Sequence, residues 1–145
     1  MTTRLDFRPI GDEDVDDVIS LWSRCGLTRP WNTAAKDIAF ARDGSNSEIL
    51  LARIDGVITA SVMVGHDGHR GTVYYVSVEP QEQGRGFGRQ VMAAAEAWLV
   101  ERGVGKLNLL LRAENEKVRG FYEALGYEVE PRLCMARKLM GRDGR

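Results

Sequence analysis

The sequence predicts a mixed α/β fold: a central, mostly antiparallel sheet of six to seven strands flanked by four helices. Three observations carry that expectation. Asp55-Gly56 separates two strand-like runs, Glu48 to Ile54 and Val57 to Val64, and this dipeptide between apolar segments is a strong two-residue hairpin signal. Next, the strand formers Val73-Tyr74-Tyr75-Val76-Ser77-Val78 run into a glycine-rich turn and then into Phe87, Val91, Met92, Ala95, Trp98 and Leu99 at helical spacing. Finally, Leu107, Leu109 and Leu111 alternate after the breaker Gly103, so a right-handed crossover joins two strands if they lie parallel.

The elements follow in order. Leu5 to Arg8 reads as a short opening strand. Asp12 is a plausible cap for a helix with Val15, Val18, Ile19 and Trp22 on one face, ending near Gly26. A weaker helix follows Asn32 or Thr33, with Ala34, Ile38 and Ala41 on one side, and stops at Asp43-Gly44. After the hairpin, Asp67-Gly68-His69-Arg70-Gly71 reverses the chain into the strand 72–78, the glycine turn and the helix 86–102. A strand over 106–112 leads to a helix capped by Asn115 and terminated by Gly126 as a C′ glycine. Two last strands are expected over 128–131 and 133–139, giving the order β-α-α-β-β-β-α-β-α-β-β.

With 145 residues the chain suits one domain, 1–145, with a single core. Its 20 basic and 21 acidic residues leave a net charge of −1, which gives no reason to expect nucleic acid as the main partner. Basic residues gather instead near Arg85 and Arg89 and at Arg112, Lys117 and Arg119, a distribution suited to a small polyanion. Cys25 and Cys134 are far apart and form no C-x-x-C pair, so neither a disulfide framework nor a zinc site is expected. That cysteine usage makes a reducing cytoplasm the expected compartment; the first residues contain no apolar leader segment and no stretch is long enough to span a bilayer, so no membrane partner is expected.

The segment Gln83-Gly84-Arg85-Gly86-Phe87-Gly88-Arg89 sits at the strand-to-helix junction. A helix start leaves about four backbone N–H groups unpaired and carries roughly half a positive charge, so glycines there let an anion approach the bare backbone. No Walker string is present, and the dinucleotide pattern G-x-G-x-x-G fails whether counted from Gly84 or from Gly86. The pattern that fits is Gln/Arg-x-x-Gly-x-Gly/Ala, through Gln83, Gly86 and Gly88. Downstream, Asn115-Glu116-Lys117-Val118-Arg119-Gly120-Phe121-Tyr122-Glu123-Ala124-Leu125-Gly126-Tyr127 fits Asn-x-x-Ala/Val-x-x-Phe/Leu-Tyr-x-x-x-Gly-Phe/Tyr. In these two motifs, in this order, the chain resembles the GNAT superfamily of acyl-CoA-dependent N-acetyltransferases. With Gly65 to Gly71 and the loop Arg24 to Asn32 it resembles the YpeA-type branch, for which the resemblance supplies no substrate.

The resemblance implies a GNAT-like fold, acetyl-CoA as cosubstrate, and direct attack of an amine on the thioester; no metal is expected, because His66, Asp67 and His69 within one tight turn rarely converge on one ion. It implies that Val76, Ser77 and Val78 pair with pantetheine and that Gln83, Gly84, Arg85, Gly86, Phe87, Gly88 and Arg89 surround the pyrophosphate. Asn115 and Tyr122, seven residues apart, share a helix face to within about 20°. The resemblance makes Asn115 a pantetheine contact and Tyr122 the acid that protonates the departing thiolate. Taken alone, Tyr122 reads as a packing aromatic more readily than as an acid, and the motif reverses that order.

The general base is open. Many family members place a Glu where this sequence has Thr72, so that role does not carry over; Glu79 is the nearest carboxylate, with a loop charge as its plain alternative, and Tyr74, His66 and His69 are weaker candidates. For the acceptor, Arg29, Trp31 and Asn32 in the loop between the first two helices, together with His69, are candidates; the alternative is that Pro30 and Trp31 only fix the bend. Two functions therefore stand: an N-acetyltransferase acting on a small amine or a peptide amino terminus, or a non-catalytic acyl-CoA-binding regulatory module. A homodimer is left open.

Overall fold

Asp55 and Gly56 both adopt positive φ, 51° and 80°, as a tight two-residue hairpin requires. The computed structural model describes residues 3–31 and 33–140 of the chain. Its strands are β1 (Arg8–Pro9), β2 (Ser47–Ile54), β3 (Val57–His66), β4 (Gly71–Val78) and β5 (Leu107–Asn108). Its helices are α1 (Val15–Arg24), α2 (Ala34–Arg42), α3 (Phe87–Glu101) and α4 (Glu116–Ala124). Single 3-10 turns at Asp12–Asp14 and Pro80–Glu82 precede α1 and α3.

The chain divides into two compact units, Met1–Asn108 and Leu109–Arg145. The first holds one sheet in the order β1-β2-β3-β4-β5, antiparallel except for the parallel β4–β5 pair. Strand alternation sends the residues of β2 and β3 to two different helical layers. Ile49 and Leu51 join Val18, Leu21, Trp22, Ile38 and Ala41 in a core under α1 and α2. Leu50, Ala60, Val62 and Val64 are buried too, and α3, which packs on β3 and β4, buries Phe87, Val91, Met92, Ala95, Trp98 and Leu99. Burial on both faces explains why these strands read as near-continuous apolar runs. Gly71 begins β4 under α3, where a Cβ would lie 2.5 Å from Leu99 Cδ1; the helix seats there because the strand has no side chain at that point.

Asp14 shows how the first helix starts. Its carboxylate accepts the Gly11 N–H at 2.8 Å and is paired with Arg53 of β2, so the acidic first turn is tied to the sheet as well as to the helix dipole.

Two expectations need correction. The sheet has five strands among the described residues, not six or seven, and the strand expected over 106–112 is a two-residue pairing at Leu107–Asn108. Within the second unit, 128–131 and 133–139 form no strands: the segment makes a local Arg132 N–H to Glu130 C=O bond and leaves Leu133 and Met135 more than nine-tenths exposed. A strand exists through a ladder partner, and apolar alternation alone supplies none. The second unit is built on α4, which Asn115 opens by accepting the Val118 N–H at 3.2 Å and Gly126, at φ 98°, closes.

Candidate active site

The junction between β4 and α3 has the form the sequence predicts. Gly84 and Gly86 stand at φ 86° and 81°, the left-handed region that glycine enters without steric cost, and Gly86 is the N-cap of α3. A Cβ on either would meet nothing within 4 Å, so the mouth of the helix is open. The first-turn amides of Phe87, Gly88 and Arg89 have no carbonyl one turn back to bond, as at any helix start. The Phe87 side chain is buried, leaving only its backbone for a ligand, while Arg89 is exposed. Arg85 lies over the Phe87 ring at 4.8 Å, pairs with Glu82 and donates to Thr3 Oγ1. Gln83 Nε2 donates to the Val78 carbonyl at 3.3 Å, closing the loop onto the end of β4.

Beside this mouth, beyond Thr72, β4 is paired with β3 alone among the described residues. Its parallel pairing with β5 covers Gly71 and Thr72, and no other strand joins that edge among the described residues. The Glu79 N–H donates to Thr59 of the β3 side at 2.7 Å, so by alternation the backbone groups of Ser77 also face β3 while those of Val76 and Val78 face the open edge. The Ser77 hydroxyl is spent in the core: it lies 2.6 Å from Ser61 Oγ, which in turn accepts Trp22 Nε1–H at 2.9 Å.

The sequence gives no hint of a bulge in this strand. Ser61 pairs with Ser77 and Met63 with Tyr74, so Tyr75 and Val76 together oppose Val62. Tyr75 takes φ 54°, an outlier for an aromatic residue. Two contacts hold it there. Its ring stacks on Trp22 with centroids 3.8 Å apart and planes within 3°, and its hydroxyl donates to Asp37 Oδ2 at 2.7 Å. The bulge turns two consecutive side chains, Tyr74 and Tyr75, toward the α1–α2 side, where both line a groove of about 870 Å³.

Glu79, the sequence's nearest carboxylate, is held by Arg24: Nε and Nη2 donate to Oε2 at 2.9 and 2.7 Å, and Nε also to Oε1 at 3.3 Å. That hydrogen bond raises the Arg24 pKa above its already high ordinary value. Cys25 donates its thiol to the Val78 carbonyl at 3.2 Å, and burial pushes its pKa up. A thiol kept protonated is a poor nucleophile. Native protein treated with a thiol-specific disulfide reagent at pH 8 is therefore expected to lose the exposed Cys134 first, with Cys25 following at least about tenfold more slowly until denaturant is added. Equal rates would contradict the burial argument.

In the second unit Asn115 Oδ1 is the α4 cap described above. Tyr122 is buried, contacts Phe121 and Tyr127 edge-on with centroids 4.9 and 5.7 Å away, and has its pKa raised by that burial. The phenol is accordingly in its proton-carrying form well past neutral pH.

The acceptor candidates are dispersed. Arg29 Nη1 donates to the carbonyls of Gly26 at 2.6 Å and Thr28 at 2.9 Å, so its guanidinium braces its own loop. Trp31 is half exposed, and Asn32 lies outside the described residues. The His69 and Arg70 N–H groups bond Asp67 Oδ1 in the β3–β4 turn, the Arg70 bond being the main reason the Asp67 pKa is lowered. His66 Nδ1 accepts the Gly68 N–H in the same turn. Among the described residues, Arg29, Trp31, His66 and His69 do not line the groove beside Tyr74 and Tyr75.

A model of the Acetyltransferase (GNAT) family matches residues 15–127, most of the chain. The chain belongs to the GNAT acetyltransferase family. Acetyltransferases of Yersinia pestis (strain Pestoides F) and Yersinia enterocolitica are each 38% identical over 136 residues, covering 94% of this chain and 96% of theirs. Among solved structures, the aminoglycoside acetyltransferase AAC(6')-Iy superposes with a TM-score of 0.80 at 19% identity, over 95% of this chain and 100% of that one. A ribosomal-protein-alanine N-acetyltransferase from Brucella melitensis gives 0.73 at 21%, over 94% and 100%. These neighbours share the acetyltransferase's fold, and the β4–α3 junction lies inside the segment the family model covers.

Proposed function

We propose that this acetyltransferase moves an acetyl group from acetyl-CoA to a primary amine by direct attack of the nitrogen on the thioester carbonyl. The observation that carries the reading is the C-terminal half of β4, paired with β3 alone beyond Thr72 among the described residues, next to a helix mouth opened by Gly84 and Gly86. An extended pantetheine amide chain fits the backbone groups of Val76 and Val78 as an added strand would, and a diphosphate fits the amides from Gly84 to Arg89. Gln83 supports the turn, and Arg85 exchanges its Glu82 contact for phosphate. AAC(6')-Iy has been solved with CoA and with a CoA–acetylneamine bisubstrate analogue, which supports amine chemistry on this fold.

In the transfer a C–N bond forms as the C–S bond breaks. A backbone N–H near Val78 steadies the charge on the thioester oxygen. The nitrogen loses a proton, and the thiolate gains one from Tyr122, with Asn115 holding pantetheine through its side-chain amide. The amine proton goes to Glu79 if Arg24 releases it and to solvent water otherwise, and Tyr122 is reprotonated from solvent after each turnover. Arg29, Trp31, Asn32 and His69 belong to the acceptor side in this reading.

Calorimetry with acetyl-CoA, followed by thiol detection of CoA across an amine and peptide panel, tests the proposal. Micromolar binding with amine-dependent CoA release is expected. Binding with no release from any acceptor would assign the chain to a non-catalytic acyl-CoA-binding module, and no heat at millimolar ligand would refute CoA binding altogether.

A further inference from the structure

The groove beside the β4 bulge is acidic and aromatic. Asp37, whose carboxylate accepts the Tyr75 hydroxyl, Asp43, Phe40, Tyr74 and Tyr75 line it, and among the described residues no lysine, arginine or histidine does. Arg42, the cation beside it in sequence, is turned onto Asp12 in an ion pair of 2.9 Å. Phe40 and Tyr74 are 66% and 50% exposed, so two rings present area to whatever enters. Carboxylates set among exposed ring faces are the chemistry that binds ammonium groups, through ion pairing and cation–π attraction together. The groove, about 870 Å³ and open to solvent, has room for a small amine.

Resting on the acetyl-transfer reading above, we propose that the acceptor carries a second ammonium group, bound in this groove, in addition to the amine that receives the acetyl group. Tyr75 links the two functions. It belongs to the groove wall, and it lies one to three residues before Val76 and Val78, within about 10 Å along the strand. An aliphatic diamine or polyamine spans that distance; an acceptor bearing a carboxylate would meet Asp37 and Asp43 with like charge. The bulge is what makes the groove, since an unbroken strand would turn either Tyr74 or Tyr75 to the opposite face.

Initial rates of CoA release at saturating acetyl-CoA test this with 1,5-diaminopentane and pentylamine, two acceptors of one length that differ in the second ammonium. The diamine is expected to show at least about tenfold higher kcat/KM, and that preference should shrink as salt is raised. Asp43→Asn should erase most of it, chiefly through KM. Asp37 also anchors Tyr75, so Asp37→Asn should raise KM for the diamine and lower kcat as well. Equal use of the two amines by the native enzyme, or an undiminished preference in Asp43→Asn, would overturn the proposal. A second measurement separates it from acetyl transfer itself: spermidine titrated without acetyl-CoA, read by NMR at the Phe40 and Tyr74 ring resonances. Perturbation there without CoA release would uphold the cation groove and refute the transfer; release without diamine preference would do the reverse.

Discussion

Gly86→Asp is expected to weaken acetyl-CoA binding by at least about 100-fold, or some 2.7 kcal/mol, while leaving a folded protein. Aspartate enters the left-handed region more readily than most residues, so the backbone cost at φ 81° is about 1 kcal/mol, and its Cβ meets nothing within 4 Å. The carboxylate, however, stands where the open helix mouth is proposed to receive a diphosphate. Two like charges about 5 Å apart repel by roughly 3 kcal/mol at an effective dielectric of 20. Gly86→Ala separates the two contributions: it introduces backbone strain at least as large as aspartate's but no charge, and its affinity should fall less than about tenfold. Calorimetry and the thermal shift produced by acetyl-CoA read both variants. Equal affinities for Gly86→Asp and the native chain would remove the diphosphate from this junction.

Tyr122→Phe is expected to lower kcat by about 100-fold or more with acetyl-CoA affinity retained, the range for loss of a positioned general acid. Phenylalanine keeps the edge-on packing against Phe121 and Tyr127, so a stability loss is not the explanation to expect. The pH dependence gives a second readout. Burial raises the Tyr122 pKa, so the native enzyme should keep its acid through neutral pH and lose activity only above the ordinary tyrosine value of about 10. That alkaline limb should vanish in the variant. The linkage runs in the same direction: folding favours the neutral phenol, so its contribution to stability is complete below the unfolded pKa and is lost as pH rises through the folded one. An unchanged kcat would return Tyr122 to the core as a packing residue.

Arg24 and Glu79 illustrate what a motif reading leaves out. The position of Glu79 at the strand end makes it a natural base candidate, yet its partner is 55 residues away in sequence and holds Oε2 through two bonds and Oε1 through a longer one. Trp22 has a similar history. Its helical spacing identifies a core residue, and it is one, but its ring also carries the stacked Tyr75 and its indole N–H orders the Ser61–Ser77 pair beneath the open edge. Helical periodicity reports that a side chain is buried, not which strand it supports.

The features that sequence alone determined are those set within a few residues of the chain. The Asp55-Gly56 hairpin, the glycine-capped start of α3, the Asn115 cap, the Gly126 stop and the apolar faces of the helices follow from local backbone preferences and periodicity. The tertiary structure decided whatever needs a distant partner: the bulge at Tyr75 held by Trp22 and Asp37, the Arg24–Glu79 pair, the acidic groove, and the absence of ladder pairing over 128–139. The reason is physical. A turn or a cap is a choice among the conformations of a few adjacent residues, whereas a ladder, a stacked ring or an ion pair exists only when two remote segments are brought together, and neither segment records its partner.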